Sequence, residues 1–78
     1  MNPKSLSNLI RGMKAKVVGY TDGNPAYRSK LLALGLTRGA VVQLVNQAPL
    51  GDPIEIEVRG FHLSLRKAEA AVVEVCVL

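Results

Sequence analysis

The second half of the sequence is built of short segments in which apolar and polar residues alternate. The clearest is IEIEV, which places Ile54, Ile56 and Val58 on one face and Glu55 and Glu57 on the other. A period of two residues is typical of a β-strand with one face in a core. AVVQLVNQ precedes this segment, and FHLSL and VVEVCV follow it with the same alternation. The pattern therefore predicts several short strands joined by tight connections.

The turn residues between these segments predict how the strands pair. APLGDP separates the first two segments and Gly60 separates IEIEV from FHLSL, so we expect two consecutive hairpins. His62 and Ser64 should lie on the outer face of FHLSL, as Glu74 and Cys76 should on that of VVEVCV. The residues expected to face the core are Ile54, Ile56, Val58, Phe61, Leu63, Leu65, Val73 and Val75. In AVVQLVNQ, Val42 and Leu44 share one face, with Val41, Gln43 and Val45 on the other.

The N-terminal part predicts one helical turn and one further strand. In SLSNLI, Ser5 or Ser7 can cap a short turn of helix that ends before Gly12 and covers an open sheet edge. The alternation in MKAKVVGY predicts a strand over residues 13–20, with the lysines in water.

The segment TDGNPAYRSKLLALGL carries the strongest helix signals in the chain. Asn24 can accept backbone N–H bonds as the N-cap, and Pro25 suits the first helical position. Gly35 can take the left-handed conformation that ends a helix, with Leu36 folding back onto it. The residues predicted to share one face of this helix are Tyr27, Leu31 and Leu34.

Five short strands, one inserted helix and a single helical turn at RKAEAA predict a mainly β protein with short helices. Curling nearly closed removes the exposed edges of so small a sheet, so we expect a small SH3-like five-stranded β-barrel. A chain of 78 residues fits one domain over residues 1–78. Because 49% of the residues are hydrophobic and only 4% aromatic, the core should be aliphatic.

The residues needed for catalysis or for a resident metal are missing from the sequence. No phosphate-binding loop of the form G-x-x-x-x-G-K-[ST] occurs, and His62 and Cys76 are the single histidine and cysteine. We therefore expect no enzyme activity, no cofactor and no zinc-ligand set. An ion captured by Glu55, Glu57, His62 and the terminal carboxylate should bridge two molecules.

Two further features bear on location and partners. A lone cysteine, and no apolar run near the ~18 to 20 residues of a membrane span, predict a cytoplasmic protein. The formal charge of +4 comes from basic residues spread along the chain, without a basic cluster interleaved with aromatic residues. Nucleic-acid binding is therefore not expected, although it remains the alternative from another functional class.

Residues 26–75 resemble the FeoA family, known for ferrous iron transport protein A. The residues matching the end of the family's helix and the following turn are Leu31, Leu34, Gly35, Leu36 and Gly39. Those matching its A-P-x-G-D-P loop are Ala48, Pro49, Gly51, Asp52 and Pro53. Those matching its last motif are Leu63, Leu65, Arg66, Glu69 and Ala70. Arg38 stands where the family often has proline before the glycine.

This resemblance implies an SH3-like barrel and a bacterial, cytoplasmic accessory protein of ferrous iron uptake. It implies that the protein supports the FeoB permease, which has a cytoplasmic GTPase domain, and that it reaches the membrane only through this partner. Weak self-association is left open. The alternative it implies is a nucleic-acid-binding or transcription-regulatory module, because a related barrel forms the C-terminal domain of iron-dependent repressors.

The APLGDP loop and the exposed side of the helix are the predicted partner-binding surface. Pro49 and Pro53 fix the loop backbone at both ends, so the loop is first a rigid connector, and it loses little entropy if it also docks a partner. Both interpretations stay open, as does the choice between a solvated basic helix face and an arginine finger for another protein's phosphoryl transfer. The residues assigned to this surface are Leu50, Asp52, Tyr27, Arg28 and Lys30.

Overall fold

The computed structural model describes residues 4–21 and 23–78. The strands are β1 (Lys4–Ser5), β2 (Lys14–Tyr20), β3 (Val41–Gln47), β4 (Ile54–Val58), β5 (Phe61–Leu65) and β6 (Val73–Val77). The helices are α1 (Pro25–Ala33), the four-residue α2 (Lys67–Ala70) and a 3₁₀ turn, Leu6–Asn8. None of the helices in these ranges is long and apolar enough to cross a membrane.

All the strands belong to one antiparallel sheet in the order β1-β6-β2-β3-β4-β5. The prediction of a mainly β fold with two consecutive hairpins is confirmed. Within the described residues the ladder is not closed, since β1 and β5 are its two end strands. Register shifts at Val17/Gly19 in β2 and at Leu44/Asn46 in β3 bend the sheet around its own core.

The sheet has a sixth strand that the sequence did not indicate. β1 consists of Lys4 and Ser5, which pair with Val75 and Glu74 of β6. Two residues are too few to show a period, so the alternation pattern could not reveal this strand. Ser5, one of the two predicted caps, starts the 3₁₀ turn, and its hydroxyl accepts the N–H of Ser7 at 3.2 Å.

The core is aliphatic, as the composition predicted. The residues that fill it are Leu6, Leu9, Ala15, Val17, Leu31, Leu36, Ala40, Val42, Leu44, Ile54, Ile56, Val58, Leu65, Ala70, Val73 and Val75. The core faces predicted for β4 and β6 are correct, and in β3 the face that carries Val42 and Leu44 is the one that enters the core. The 3₁₀ turn contributes Leu6 to this core, with Leu9 just after it.

One predicted core residue, Phe61, lies at the surface instead, and so does Leu34 of the predicted apolar helix face. Phe61 shares a face with Val58, its partner across the hairpin, yet it is 71% exposed. It begins the edge strand β5 beside the Arg59–Gly60 turn, so it has a neighbouring strand on one side only. Leu34 is 41% exposed because it occupies the C-cap position, after the last helical residue of α1.

Helix α1 begins and ends at the predicted residues. The Asn24 side chain accepts the N–H of Ala26 at 2.9 Å, and Pro25 is the first helical residue. At the other end Gly35 has φ +100°, and the N–H of Leu36 donates to the Leu31 carbonyl at 3.0 Å. Since Gly35 also donates to the Leu32 carbonyl at 3.1 Å, this end is a Schellman motif.

The end of α1 is also tied to the sheet. Leu36 is fully buried, and its carbonyl accepts a hydrogen bond from the Tyr20 hydroxyl of β2 at 2.6 Å. Burial raises the pKa of the Tyr20 phenol, partly opposed by the positive charge of Arg28. The helix is therefore fixed to the barrel at its C-terminal end.

Candidate partner-binding surface

The loop between β3 and β4, residues 48–53, is held by its own backbone. The N–H of Ala48 donates to the Pro53 carbonyl at 3.0 Å, and the N–H of Gly51 donates to the Ala48 carbonyl at 2.7 Å. Pro49 follows the first residue of this tight turn, and Gly51 takes a φ of +81° that favours glycine. The loop is therefore the rigid connector that its composition predicted.

Leu50 stands at the tip of this loop. Its side chain is 92% exposed, more than any other large hydrophobic residue of the described part of the chain. A solvent-exposed leucine contributes no burial free energy to the barrel core. The turn already orders its backbone, so binding a partner would cost little conformational entropy. Leu50 is therefore the apolar group in this loop that is free to contact another molecule.

Asp52 has a partner within the chain. Its Oδ1 accepts the N–H of Lys67, the first residue of α2, at 3.0 Å. The backbone N–H groups at a helix start have no acceptor within the helix, so this carboxylate satisfies one of them. The loop is thereby joined to α2.

A buried carboxylate joins α2 to α1. Glu69 Oε2 lies 2.6 Å from Lys30 Nζ, and Glu69 Oε1 accepts the N–H of Arg66 at 3.0 Å. The Glu69 side chain is only 8% exposed, whereas that of Lys30 is 56% exposed. The hydrogen bond from Lys30, together with that from the Arg66 backbone, lowers the pKa of the Glu69 carboxyl despite its burial.

The predicted residues thus fall on elements that α2 connects. Lys30 is engaged by Glu69, and Asp52 by the start of α2. Arg28 is exposed on α1, and Tyr27 is half-buried there. We define the α2 platform as the loop 48–53, the four residues of α2 and the outer side of α1.

The role of α2 in this platform was missed in the sequence. The available signal was Glu69, the third residue of the helix, whose carboxylate reaches back to the N-cap N–H as in a capping box. The N-cap residue is Arg66 rather than a serine, threonine, aspartate or asparagine. The sequence therefore does not match the usual capping-box motif at its first position.

The acidic residues of β4 lie close to the histidine of β5. His62 Nδ1 is 3.0 Å from Glu55 Oε2, and its Nε2 is 3.8 Å from Glu57 Oε2. The imidazole therefore lies between the two carboxylates on the outer face of the sheet. Within residues 4–21 and 23–78, no three or more histidine, cysteine, aspartate and glutamate side chains form a group that could hold a metal ion.

Comparison with known proteins identifies the family. The family model of the FeoA domain matches residues 4–77.

The chain belongs to the FeoA family.

A curated relative from Porphyromonas gingivalis is 34% identical over 70 residues and is an Fe(2+) transport protein A/Fe(2+) transporter FeoB fusion protein. The match covers 90% of this chain, which spans only 8% of the length of that fusion protein.

Solved FeoA structures share the fold over nearly the whole chain. The FeoA-like protein from Clostridium acetobutylicum is 36% identical with a TM-score of 0.91, covering 100% of this chain and 90% of its own. FeoA from Stenotrophomonas maltophilia, solved in complex with zinc and described as a prokaryotic SH3 domain protein, is 32% identical. Its TM-score is 0.81, with 92% of this chain and 88% of its own covered. The SH3-like prediction is confirmed.

A manganese-dependent transcriptional repressor carries the same fold. It is 16% identical to this FeoA chain with a TM-score of 0.89, and the match covers 97% of this chain but 37% of the repressor. At this identity the likeness concerns the fold alone, since one fold serves many functions.

Proposed function

We propose that this chain is a cytoplasmic accessory protein of bacterial ferrous iron uptake that binds and supports a FeoB-type permease. The observation that carries the proposal is the Porphyromonas gingivalis relative, in which the two components form one polypeptide. Fusion turns an encounter between two proteins into an intramolecular contact at high effective concentration. The surface of the FeoA domain is what would make this contact in either arrangement, fused or separate.

The α2 platform is the surface that we assign to this contact. It offers an exposed apolar residue, Leu50, on a loop whose backbone is already ordered, so that docking costs little conformational entropy. Arg28 adds an exposed positive charge on α1. An exposed apolar residue and a single exposed cation fit a mixed protein surface better than a nucleic-acid backbone, which is recognised by clustered cations.

The proposed role is binding, without chemistry of its own. The single histidine, His62, lies between two carboxylates on an exposed sheet face, and in the described part of the chain its hydrogen-bond partner is Glu55. Of the two basic residues of α1 considered for an arginine-finger role, Lys30 forms an ion pair with Glu69, whereas Arg28 is exposed and serves here as a contact residue. We therefore expect the chain to act on the permease by holding or positioning it.

Isotope-labelled protein titrated with the purified permease, and separately with its cytoplasmic GTPase domain, tests this proposal. Signals from residues 48–53 and from α1 should shift or broaden with at least one of the two. Deleting the chain from its host should also slow ferrous iron uptake. No spectral change with either partner, together with normal uptake in the deletion strain, would overturn the proposal. Duplex DNA serves as the control ligand, and salt-sensitive binding to it alone would favour the regulatory alternative.

A further inference from the structure

The edge strand β5 lacks the features that usually prevent strand edges from pairing with other chains. It pairs with β4 over five residues in unbroken register, and its sequence FHLSL contains no lysine, proline or bulge. The opposite edge, β1, comprises two of the described residues and runs directly into the 3₁₀ turn. A regular, uncharged edge strand of this kind is a template for strand addition.

The turn before β5 determines which backbone groups face outward. Arg59 and Gly60 form a two-residue turn with φ values of +53° and +82°, as in a type I′ hairpin. Val58 and Phe61 are then the hydrogen-bonded pair that closes the hairpin. Because hydrogen-bonded and non-hydrogen-bonded positions alternate, His62 and Ser64 direct their N–H and C=O groups away from β4.

We propose that β5 pairs antiparallel with β5 of a second copy of this chain, about a two-fold axis at Leu63. In this register His62 exchanges backbone hydrogen bonds with Ser64 of the second copy. By symmetry, Ser64 exchanges them with His62 of the second copy. Leu63 faces its own counterpart in the non-hydrogen-bonded position, where side chains approach most closely. The interface is isologous, since both copies use the same surface.

A second copy fits this edge because the polarity of the strand is symmetric about Leu63. Antiparallel pairing places Phe61, a residue that is 71% exposed, at the strand position opposite Leu65, which is buried in the core of its own copy. On the other face His62 lies opposite Ser64. Because β5 carries no lysine, arginine, aspartate or glutamate, no like charges are opposed between the paired strands.

The size and charge of the interface define how the dimer should behave. A pair of five-residue strands buries less than the roughly 1,200 Å² of a stable interface, so the dimer should be weak and dependent on concentration. Each copy carries a formal charge of +4, so the copies repel one another at low salt. Added salt should therefore strengthen the dimer, whereas it weakens an association held by ion pairs.

Sedimentation equilibrium over a concentration series tests the pairing with a matched pair of variants. Ser64→Pro removes one outward N–H, which an edge strand tolerates, whereas Ser64→Ala removes only the hydroxyl. The wild type and Ser64→Ala should show a monomer–dimer equilibrium that shifts toward dimer with salt, while Ser64→Pro stays monomeric. A wild type that is monomeric throughout, or a Ser64→Pro dimer as strong as the wild type, would overturn the proposal.

Cysteine crosslinking tests the register even if the proline variant does not fold. In a Cys76→Ser background, Leu63→Cys should form a disulfide-linked dimer, because facing residues in this position lie about 4.5 Å apart at Cα. Ser64→Cys is the control, since its counterpart is displaced along the strand beyond disulfide reach. Equal crosslinking of the two variants, or none by Leu63→Cys, would contradict the two-fold axis at Leu63.

Discussion

Lys30 Nζ lies 2.6 Å from the buried Glu69 Oε2, and this ion pair joins α1 to α2 across 39 residues of sequence. Burying a carboxylate is unfavourable unless it is paired and hydrogen-bonded, and Glu69 has both Lys30 and the Arg66 N–H. The stability of the α2 platform should therefore depend on the ionised form of Glu69.

The first prediction is that Glu69 makes stability depend on acid pH. Its pKa is held below the ordinary value of 4.5, so the unfolded chain binds a proton more readily than the folded one. The stabilisation is complete above that ordinary value and is lost as pH falls through the lower, folded pKa. Urea unfolding of the wild type between neutral and acid pH should show this loss.

Glu69→Gln supplies the control for that measurement. The amide oxygen can still accept the Arg66 N–H, but the charge that Lys30 contacts is gone. The variant should be less stable at neutral pH and should depend less on acid pH. If the pH profiles of variant and wild type run parallel, another group is responsible.

The second prediction separates partner contact from folding at Leu50. Leu50→Ala should change the free energy of unfolding by less than ~0.5 kcal/mol, because the side chain is 92% exposed. Ferrous iron uptake through the permease should fall, and Arg28→Ala tests the charge on the same platform. If both variants, alone and combined, fold normally and support wild-type uptake, the interface lies elsewhere and the loop is only a connector.

A third prediction concerns the core. Leu31→Ala and Ile56→Ala each remove a fully buried side chain, so each should destabilise the protein by roughly 2 to 5 kcal/mol. Loss of uptake in these variants would follow from unfolding alone. Ile56→Val, which removes a single methylene, should cost only about 0.5 to 1.5 kcal/mol in thermal or urea unfolding.

Asp52 is predicted to act mainly as a helix cap. Asp52→Ala leaves the Lys67 N–H without its carboxylate acceptor and should cost about 1 kcal/mol. Asp52→Asn keeps an acceptor oxygen and should recover most of this loss. A stable Asp52→Asn variant with impaired uptake would show instead that the negative charge itself contacts the permease.

The fifth prediction is that one molecule alone takes up no ferrous or zinc ion tightly. His62 already lies 3.0 Å from Glu55 Oε2, with its other nitrogen near Glu57, so the three side chains do not converge on a common point. Anaerobic calorimetry at protein concentrations that keep the chain monomeric checks this. One ion bound per monomer with submicromolar affinity would contradict it.

The features that could be predicted from the sequence are those fixed by local patterns. Asn24, Pro25 and Gly35 gave the start and end of α1, because caps act through neighbouring backbone groups. The alternation of each segment gave the faces of the strands. It could not give the extent of the core, which is why Phe61 was placed inside it.

The contacts within the α2 platform are different, because they depend on the tertiary fold. Asp52 meets the Lys67 N–H 15 residues away, and Lys30 meets Glu69 39 residues away. From the sequence alone, the charged side chains of Asp52 and Lys30 were both predicted to contact a partner. Only the folded chain shows that each is engaged internally, which leaves Leu50 and Arg28 as the more informative probes.

Tyr20, whose hydroxyl donates a hydrogen bond to the Leu36 carbonyl, is an intrinsic spectroscopic probe of this contact. The protein has no tryptophan and only two tyrosines, so its near-ultraviolet signal comes from very few sites. Ionisation of Tyr20 removes the proton that it donates to the end of α1. Because burial raises its pKa above the ordinary 10.0, the stabilisation is complete below that value and is lost as pH rises through the folded pKa. Tyrosinate absorbance during an alkaline titration should therefore report the loss of this hydrogen bond at the end of α1, without any added label.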